Sequence, residues 1–299
     1  MTPYTPSPPA QYKRFHKNNE PFYKSKRLWI TVGTGTVLFG GYYVTHLEKV
    51  PISGRTRFMD ITPKQEEAMA KQAYSEVMAQ FGHRILPRHH PYTQFVTRVA
   101  KRLIRVSGMD DTAWEFHVVD SPERNAFVLP GGKVFVFTGI LPIVENEDGM
   151  AAVLGHEISH QIARHSAERL SFAKVLLAAQ LTLVLFGLDP SLFFNHMTMN
   201  LMMLKPFSRK CEKEADTMGL ELMAQACFDP HEAVAVWRRM EESGTGKGIP
   251  QFASTHPSHQ NRVTYLQEKM PQALEKRAQS DCSSEMTQFA DMFKQMWHR

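Results

Sequence analysis

The sequence of 299 residues predicts an α+β protein that is mainly α-helical, with a small β-sheet and one N-terminal transmembrane helix. Three observations predict this fold class. Apolar residues recur at helical spacing near 63–81 and 91–107, and again from residue 141 to the end. Strand-like runs are confined to residues 114–141. An uncharged run occupies residues 28–45.

Residues 1–27 are predicted to be a basic, disordered arm, in which Pro3, Pro6, Pro8 and Pro9 lie close together. The arm carries six Lys/Arg and one acidic residue, whereas residues 28–299 carry 29 of each sign. The net charge of +5 therefore belongs to the arm, and the rest of the chain is balanced. We expect no nucleic-acid partner, since a balanced domain lacks the basic face that such binding needs.

Residues 28–45 read LWITVGTGTVLFGGYYVT and are predicted to be a single transmembrane helix. At the helical rise they span roughly 27 Å, close to the ~30 Å hydrocarbon core of a bilayer. Trp29, Tyr42 and Tyr43 stand near the two ends, where aromatic residues favour the membrane interface. The alternatives are a buried core helix and an uncleaved signal segment. The basic flank predicts that the arm stays on the inner side and that residues 46–299 cross the membrane.

Residues 46–299 are predicted to form one domain. It begins with a short extended connection, ISGRTRFMDIT, followed by the two helices, which a break at residues 82–91 separates. The strands follow at 114–121 and 125–141, where a Pro-Gly-Gly turn divides the second run. Three cysteines form no CxxC pair, so we expect neither a disulfide framework nor a cysteine zinc site.

The segment VLGHEISHQIARHSAER, residues 153–169, contains an HExxH motif. In a helix His156 and His160 lie about 40° apart, one turn along the same face, so both imidazoles can bind one metal ion. Glu157 lies one step round the helix, where it can reach a water on that ion. His165 would lie about 140° from His160, which predicts a surface position or a supporting one rather than a ligand.

A third ligand is predicted in SRKCEKEADTMGL, residues 208–220, where Glu212 and Glu214 compete. Asp216 lies four residues after Glu212 and so shares its face, where it can accept the second N–H of a zinc histidine. Glu214 points about 160° away from Asp216. We therefore predict Glu212 as ligand and Asp216 as its supporting carboxylate. The alternative is that this charged run is a solvated helix face.

HExxH followed by ExxAD in a membrane-anchored chain resembles the HtpX and CAAX-prenyl-protease superfamily of zinc metallopeptidases, and within it the Oma-type peptidases of the mitochondrial inner membrane. The resemblance covers residues 52–270 and includes SPERNAFVLPGGKVFVFTGIL, AAVLGHEISHQIARH and STHPSHQNR. It implies a zincin-like fold of the HExxH gluzincin type. It also implies one zinc ion per chain on His156, His160 and Glu212, with catalysis on Glu157.

The resemblance implies further roles. His256 and Arg262 would stand near the metal as donors to the oxyanion. A strand bordering the cleft would pair with extended substrate, through Asn125, Ala126, Phe127 and Val128. The expected substrates are membrane proteins, among them a dynamin-like fusion GTPase, cleaved at the inner membrane by a domain that faces the intermembrane space. A homo-oligomer is compatible with the Gly-rich span.

Residues 172–204 form a long apolar excursion between the two ligand helices. Its run before Asp189 is too short to span a bilayer, so we expect a hairpin that lies at the membrane surface or caps the active site. An ordinary pair of core helices is the alternative. The predicted function is zinc-dependent peptide hydrolysis. The rival functions are a non-catalytic membrane scaffold of the same fold and an acidic-lipid or nucleic-acid binder acting through the basic arm.

Overall fold

The computed structural model describes residues 25–185, 189, 205–244, 251–252, 256 and 262–282. The chain divides into two compact units, residues 1–46 and 47–299. The predicted basic arm lies outside the described residues up to residue 24.

The first unit contains one helix, α1, Lys26–Thr45. It covers the run predicted to be helical, and several of its apolar side chains are exposed, among them Val37 at 74% and Leu38 at 69%. Among the described residues, no helix combines the length and the apolar character needed to cross a bilayer.

The second unit begins with a two-stranded antiparallel ladder, and a three-stranded sheet and eight helices follow it among the described residues. The strands are β1 Leu47–Lys49, β2 Thr56–Phe58, β3 Glu115–Val119, β4 Ala126–Leu129 and β5 Lys133–Phe137. The helices are α2 Pro63–Phe81, α3 Pro91–Ser107, α4 Leu141–Val144, α5 Glu147–Ile162, α6 His165–Leu185, α7 Lys205–Gln225, α8 His231–Gly244 and α9 Arg262–Gln279.

Local sequence explains where α2 and α3 begin and end, and both predicted helices are confirmed. Thr62 caps α2 in a reciprocal capping box with Gln65, and proline follows at the first helical position. The side chain of His90 accepts from the backbone N–H of Tyr92 at the start of α3. Gly108 ends α3 in the left-handed conformation.

The three-stranded sheet has the order β3-β5-β4, with β3 parallel and β4 antiparallel to β5. Gly131 and Gly132 turn the chain between β4 and β5 with φ of 83° and 79°. The predicted strands are confirmed. The extended connection predicted at the start of the domain is more ordered than expected, because Thr56–Phe58 pairs with Leu47–Lys49 as β2 with β1.

Helix α5 lies at the centre of the second unit and packs against α3, α7, α8 and β4. Its residues Met150, Leu154 and Ile158 are fully buried in the main core. Burial along most of its length is unusual for a helix that carries His156 and Glu157, and it places these two polar side chains where solvent is excluded.

The absence of a disulfide was a wrong prediction, because Cys227 and Cys282 are bonded across 55 residues of sequence. Only Cys211 is a free thiol among the described cysteines.

The predicted hairpin at 172–204 falls partly on α6, which exposes Leu177, Leu181 and Val184. Its residues 186–188 and 190–204 lie outside the described residues.

Candidate metal centre

The HExxH residues lie on α5, whose start is fixed by the Asn146 side chain accepting from the backbone N–H of Gly149. The Nε2 atoms of His156 and His160 are 3.1 Å apart, as expected for imidazoles one helical turn apart that face the same point. His156 is 3% exposed.

Helix α7 brings Glu212 to the same point. Its Oε2 is 3.2 Å from Nε2 of His156, and its Oε1 is 3.6 Å from Nε2 of His160. His256 joins them, with its Nδ1 3.3 Å from His156 Nε2 and 3.4 Å from Glu212 Oε2. The four residues form a group whose ligand atoms could hold one metal ion. Glu214, the competing glutamate, lies outside this group.

The residues present fit zinc. Two atoms bound tetrahedrally to one zinc ion at about 2.05 Å stand about 3.3 Å apart, close to the separations within this group. Oε2 of Glu212 is buried and has no hydrogen-bond partner among the described residues, although it faces two imidazoles. A cation between these atoms would satisfy it. Imidazole and carboxylate donors are those that zinc favours.

His156 is supported from its other ring nitrogen. Its Nδ1 is 3.0 Å from Oδ1 of Asp216, which is the contact predicted for a supporting carboxylate. Arg262 lies behind this pair, where its Nη2 donates to Asp216 and is 3.0 Å from His156 Nδ1. Its guanidinium lies 3.4 Å from the centre of the Trp237 ring. Arg262 is only 1% exposed, so the cation is buried between a carboxylate and an aromatic face.

The ionisable groups perturb one another strongly. Burial and the charge of Arg262 lower the pKa of His156, but the carboxylates of Asp216 and Glu212 outweigh them and raise it to about 9. Burial raises the pKa of Glu212, yet the three imidazoles close to it outweigh burial and hold this pKa well below its usual range. Burial dominates at His160 and lowers its pKa. Such coupling is typical of functional sites.

Glu157 lies beside the group and does not belong to it. Its side chain is 3% exposed, and burial raises the pKa of its carboxyl. The backbone of Val128 and the nearby His256, whose Nε2 is 3.3 Å from Oε1, counter this rise in part. Oε1 has no hydrogen-bond partner among the described residues. A carboxyl with a raised pKa beside a metal site is suited to accept and return a proton.

The four predicted substrate-binding residues lie at the start of β4. Ala126 and Asn125 are buried, and the side-chain oxygen of Asn125 accepts from the backbone N–H of Ala126. Phe127 stacks on Phe135 of β5 at 5.2 Å. β4 packs along α5 on the edge of the sheet, and no strand pairs with its other side within the described part of the chain.

Residues that the sequence did not suggest also surround the centre. Phe252 stacks on His256 at 4.7 Å and, with Trp237, faces the edge of His156. His165 is buried, with its Nδ1 2.8 Å from His160 Nδ1, so the predicted surface position is wrong. The predicted angle failed because α5 ends before Arg164, whose φ is 49°, and α6 begins at His165. Periodicity carries no signal of such a break.

Comparison with known proteins decides the family. The model of peptidase family M48 matches residues 92–270, which include β3 to β5 and every predicted ligand. The chain belongs to peptidase family M48. It is 49% identical to the mitochondrial metalloendopeptidase OMA1 of Schizosaccharomyces pombe over 94% of this chain and 83% of that protein. It is 39% identical to OMA1 of Saccharomyces cerevisiae, over 87% of this chain and 79% of the relative.

OMA1 of Homo sapiens is 35% identical over 86% of this chain and 52% of its own length. The M48 chain is therefore a zinc metalloendopeptidase of mitochondria, as the resemblance implied.

Proposed function

We propose that this M48 peptidase hydrolyses membrane proteins at the mitochondrial inner membrane, with α1 as its anchor and residues 46–299 facing the intermembrane space. Exposed apolar side chains along α1 and the basic residues before it support the anchor. The disulfide between Cys227 and Cys282 supports an oxidising compartment for the peptidase unit. The dynamin-like GTPase suggested by the resemblance belongs to this substrate class.

We assign the metal to His156, His160 and Glu212, with Asp216 fixing His156. Bound zinc would supply Lewis acidity at a scissile carbonyl and lower the pKa of water. The observation that carries the proposal is the placement of Glu157 beside this ligand group, with its Oε1 free of hydrogen bonds within the described structure. Glu157 takes the proton of the attacking water and returns it to the leaving amine.

Substrate binding is assigned to the edge of β4. Backbone pairing along Ala126 and Val128 would align an extended peptide beside Glu157, whose carboxyl lies close to the backbone of Val128. Because such pairing uses main-chain groups, it selects for an extended conformation more than for sequence. We keep the oxyanion role as a proposal for His256, whose Nε2 lies 3.3 Å from Glu157 Oε1, and for Arg262, which contacts His156 Nδ1 from behind.

The decisive experiment compares the full-length chain with its Glu157→Gln variant. The variant is expected to keep zinc and to lose cleavage of an unfolded membrane protein by about 10²–10⁴-fold, since only the proton acceptor is removed. Glu147→Gln, at the solvent-accessible start of the same helix, is the matched control and should cleave at the parental rate. Cleavage by Glu157→Gln at that rate would refute the mechanism. If the unmodified chain contained zinc but cleaved no substrate, the result would instead favour the rival function, a non-catalytic membrane scaffold.

The substrate class has its own test. Membrane proteomes of cells carrying the parental chain or Glu157→Gln, compared before and after loss of membrane potential, should differ in inner-membrane proteins that the variant leaves uncut. A difference confined to matrix proteins would contradict the proposed topology.

A further inference from the structure

A second polar cluster lies on the Nδ1 side of His160, behind the face that meets Glu212. It is built from residues of the β1–β2 connection, α6 and α7, and all of its members except Arg55 are buried. None of them has a part in the hydrolysis described above. The members are Arg55, His165, Glu168, Cys211 and Glu214.

Three members of this cluster, His165, Glu168 and Cys211, are close enough to share a metal ion, but the charges oppose that use. Arg55 donates to both oxygens of Glu168, at 2.6 Å each, and so occupies the carboxylate. Burial raises the pKa of the Cys211 thiol to about 12, so the sulfur keeps its proton. A divalent cation would have to displace the partly buried guanidinium of Arg55, which would leave Glu168 and Glu214 without their charge partner.

The hydrogen bonds in the cluster instead run in one direction. His165 Nε2 is 3.0 Å from Oε2 of Glu214, and an ionised carboxylate only accepts, so this nitrogen carries the hydrogen. In a neutral ring the Nδ1 of His165 is then an acceptor, and the Nδ1–H of His160 donates to it across 2.8 Å. This leaves Nε2 of His160 unprotonated, which is the state that a metal ligand needs.

The carboxylate of Glu214, at the other end of this series of hydrogen bonds, is itself held by several donors. Glu214 accepts from Arg55 Nη2 at 2.6 Å and Nε at 2.9 Å, and from the hydroxyl of Ser53. Arg55 also bridges to Glu168 near the start of α6, so one guanidinium joins α6 to α7. The position of His165 is therefore fixed by residues from three separate parts of the chain.

We propose that His165 is a positioning residue for the metal centre, which orients the ring of His160 and selects its tautomer while Glu214 and Arg55 hold it in place. Its contact with Nδ1 fixes the ring of His160 in the same way that the contact of Asp216 with Nδ1 fixes the ring of His156. The inference rests on the proposed assignment of His160 as a ligand.

The test measures zinc affinity directly, by competition with a chromophoric chelator on the full-length chain. His165→Phe keeps the ring volume and removes both nitrogens, and its zinc dissociation constant is expected to rise about 10–100-fold. The visible absorption of the cobalt-substituted protein should shift as well, because a ligand that reorients alters the coordination geometry. His165→Asn, whose side-chain oxygen can accept near the former Nδ1, should recover much of the affinity.

His117→Phe is the matched control, because His117 is also a mostly buried histidine that contacts an aromatic ring and a carboxylate, on β3. It should bind zinc as the parental chain does. Arg55→Lys, at a partly exposed position, gives a second route if His165→Phe does not fold, and should weaken zinc binding in the same direction. Unchanged affinity and an unchanged cobalt spectrum in the folded variants would overturn the inference. Failure of the parental chain to bind zinc would overturn the proposed function with it.

Discussion

Gly219 of α7 lies against the backbone of His156 in α5. A Cβ on Gly219 would stand 2.9 Å from the backbone nitrogen of His156, and one on Gly155 would stand 3.1 Å from the carbonyl oxygen of Gly219. The helices that carry the proposed ligands therefore meet backbone to backbone, at a separation that only paired glycines permit. This contact sets how far Glu212 stands from the two histidines.

Gly219→Ala should force α7 away from α5, because the obstructing atoms are backbone and cannot rotate aside. We expect the unfolding free energy of the zinc-free protein to fall by about 1–3 kcal/mol and zinc affinity to fall with it. Denaturant titration and chelator competition measure the two effects. Gly82→Ala, where the added methyl meets only the end of Met78 at 3.6 Å, is the control. If the two variants had the same unfolding free energy and the same zinc affinity, the close approach of α5 and α7 would not be important for either property.

Asp216→Asn should weaken zinc binding about 10–100-fold while leaving the fold intact. The amide keeps the shape of the carboxylate but no longer places a negative charge beside His156 Nδ1 and Arg262. Chelator competition measures the change, and Asp229→Asn, at the partly exposed start of α8, is the control. Parental affinity in Asp216→Asn would mean that Arg262 and the protein frame orient His156 without the carboxylate.

The parts of the site that lie within one helix were predictable from the sequence. His156 with His160, and Glu212 with Asp216, are each four residues apart, so the helical repeat alone places them together. The same reasoning failed at His165, where the helix breaks and a new one starts. It also gave no role to Glu168, whose partner Arg55 is 113 residues away.

Long-range pairings could not be predicted because they depend on how the helices pack. The bond between Cys227 and Cys282 requires the end of α7 to meet the end of α9, and no spacing rule encodes that meeting. The placement of Arg262 on Trp237 has the same origin. Helix and strand positions, by contrast, followed from local periodicity and caps, as at Thr62 and Gly108.

The disulfide should stabilise the peptidase unit measurably. Closing a loop of 55 residues removes unfolded-state entropy worth about 4 kcal/mol, so Cys227→Ala combined with Cys282→Ala should lower the unfolding free energy by an amount of that order. Thermal melts with and without a reductant give the comparison. The reductant should destabilise the parental chain and Cys211→Ala, which keeps the bond, but should leave the double variant unaffected. Equal sensitivity of the double variant would contradict a stabilising disulfide.

His117 should give the fold a pH dependence that is separate from the metal centre. Burial lowers the pKa of His117 below its usual 6.5, and the neighbouring carboxylate of Glu115 offsets this only in part. The unfolded chain therefore takes up a proton at this residue at a higher pH than the folded chain does. Stability associated with neutral His117 is present above about pH 6.5 and is lost as the pH falls through the lower folded value.

His117→Phe removes this titration and keeps an aromatic ring against Phe135, which His117 stacks on at 4.8 Å. Urea denaturation from pH 8 to pH 5 should show a constant difference in unfolding free energy between the two proteins above pH 7. Below about pH 6.5 the parental chain should lose stability relative to the variant, because only its unfolded state gains the extra proton. The metal ligands titrate equally in both proteins and cancel in the difference. A difference that stays constant over the whole range would show that His117 has the same pKa folded and unfolded.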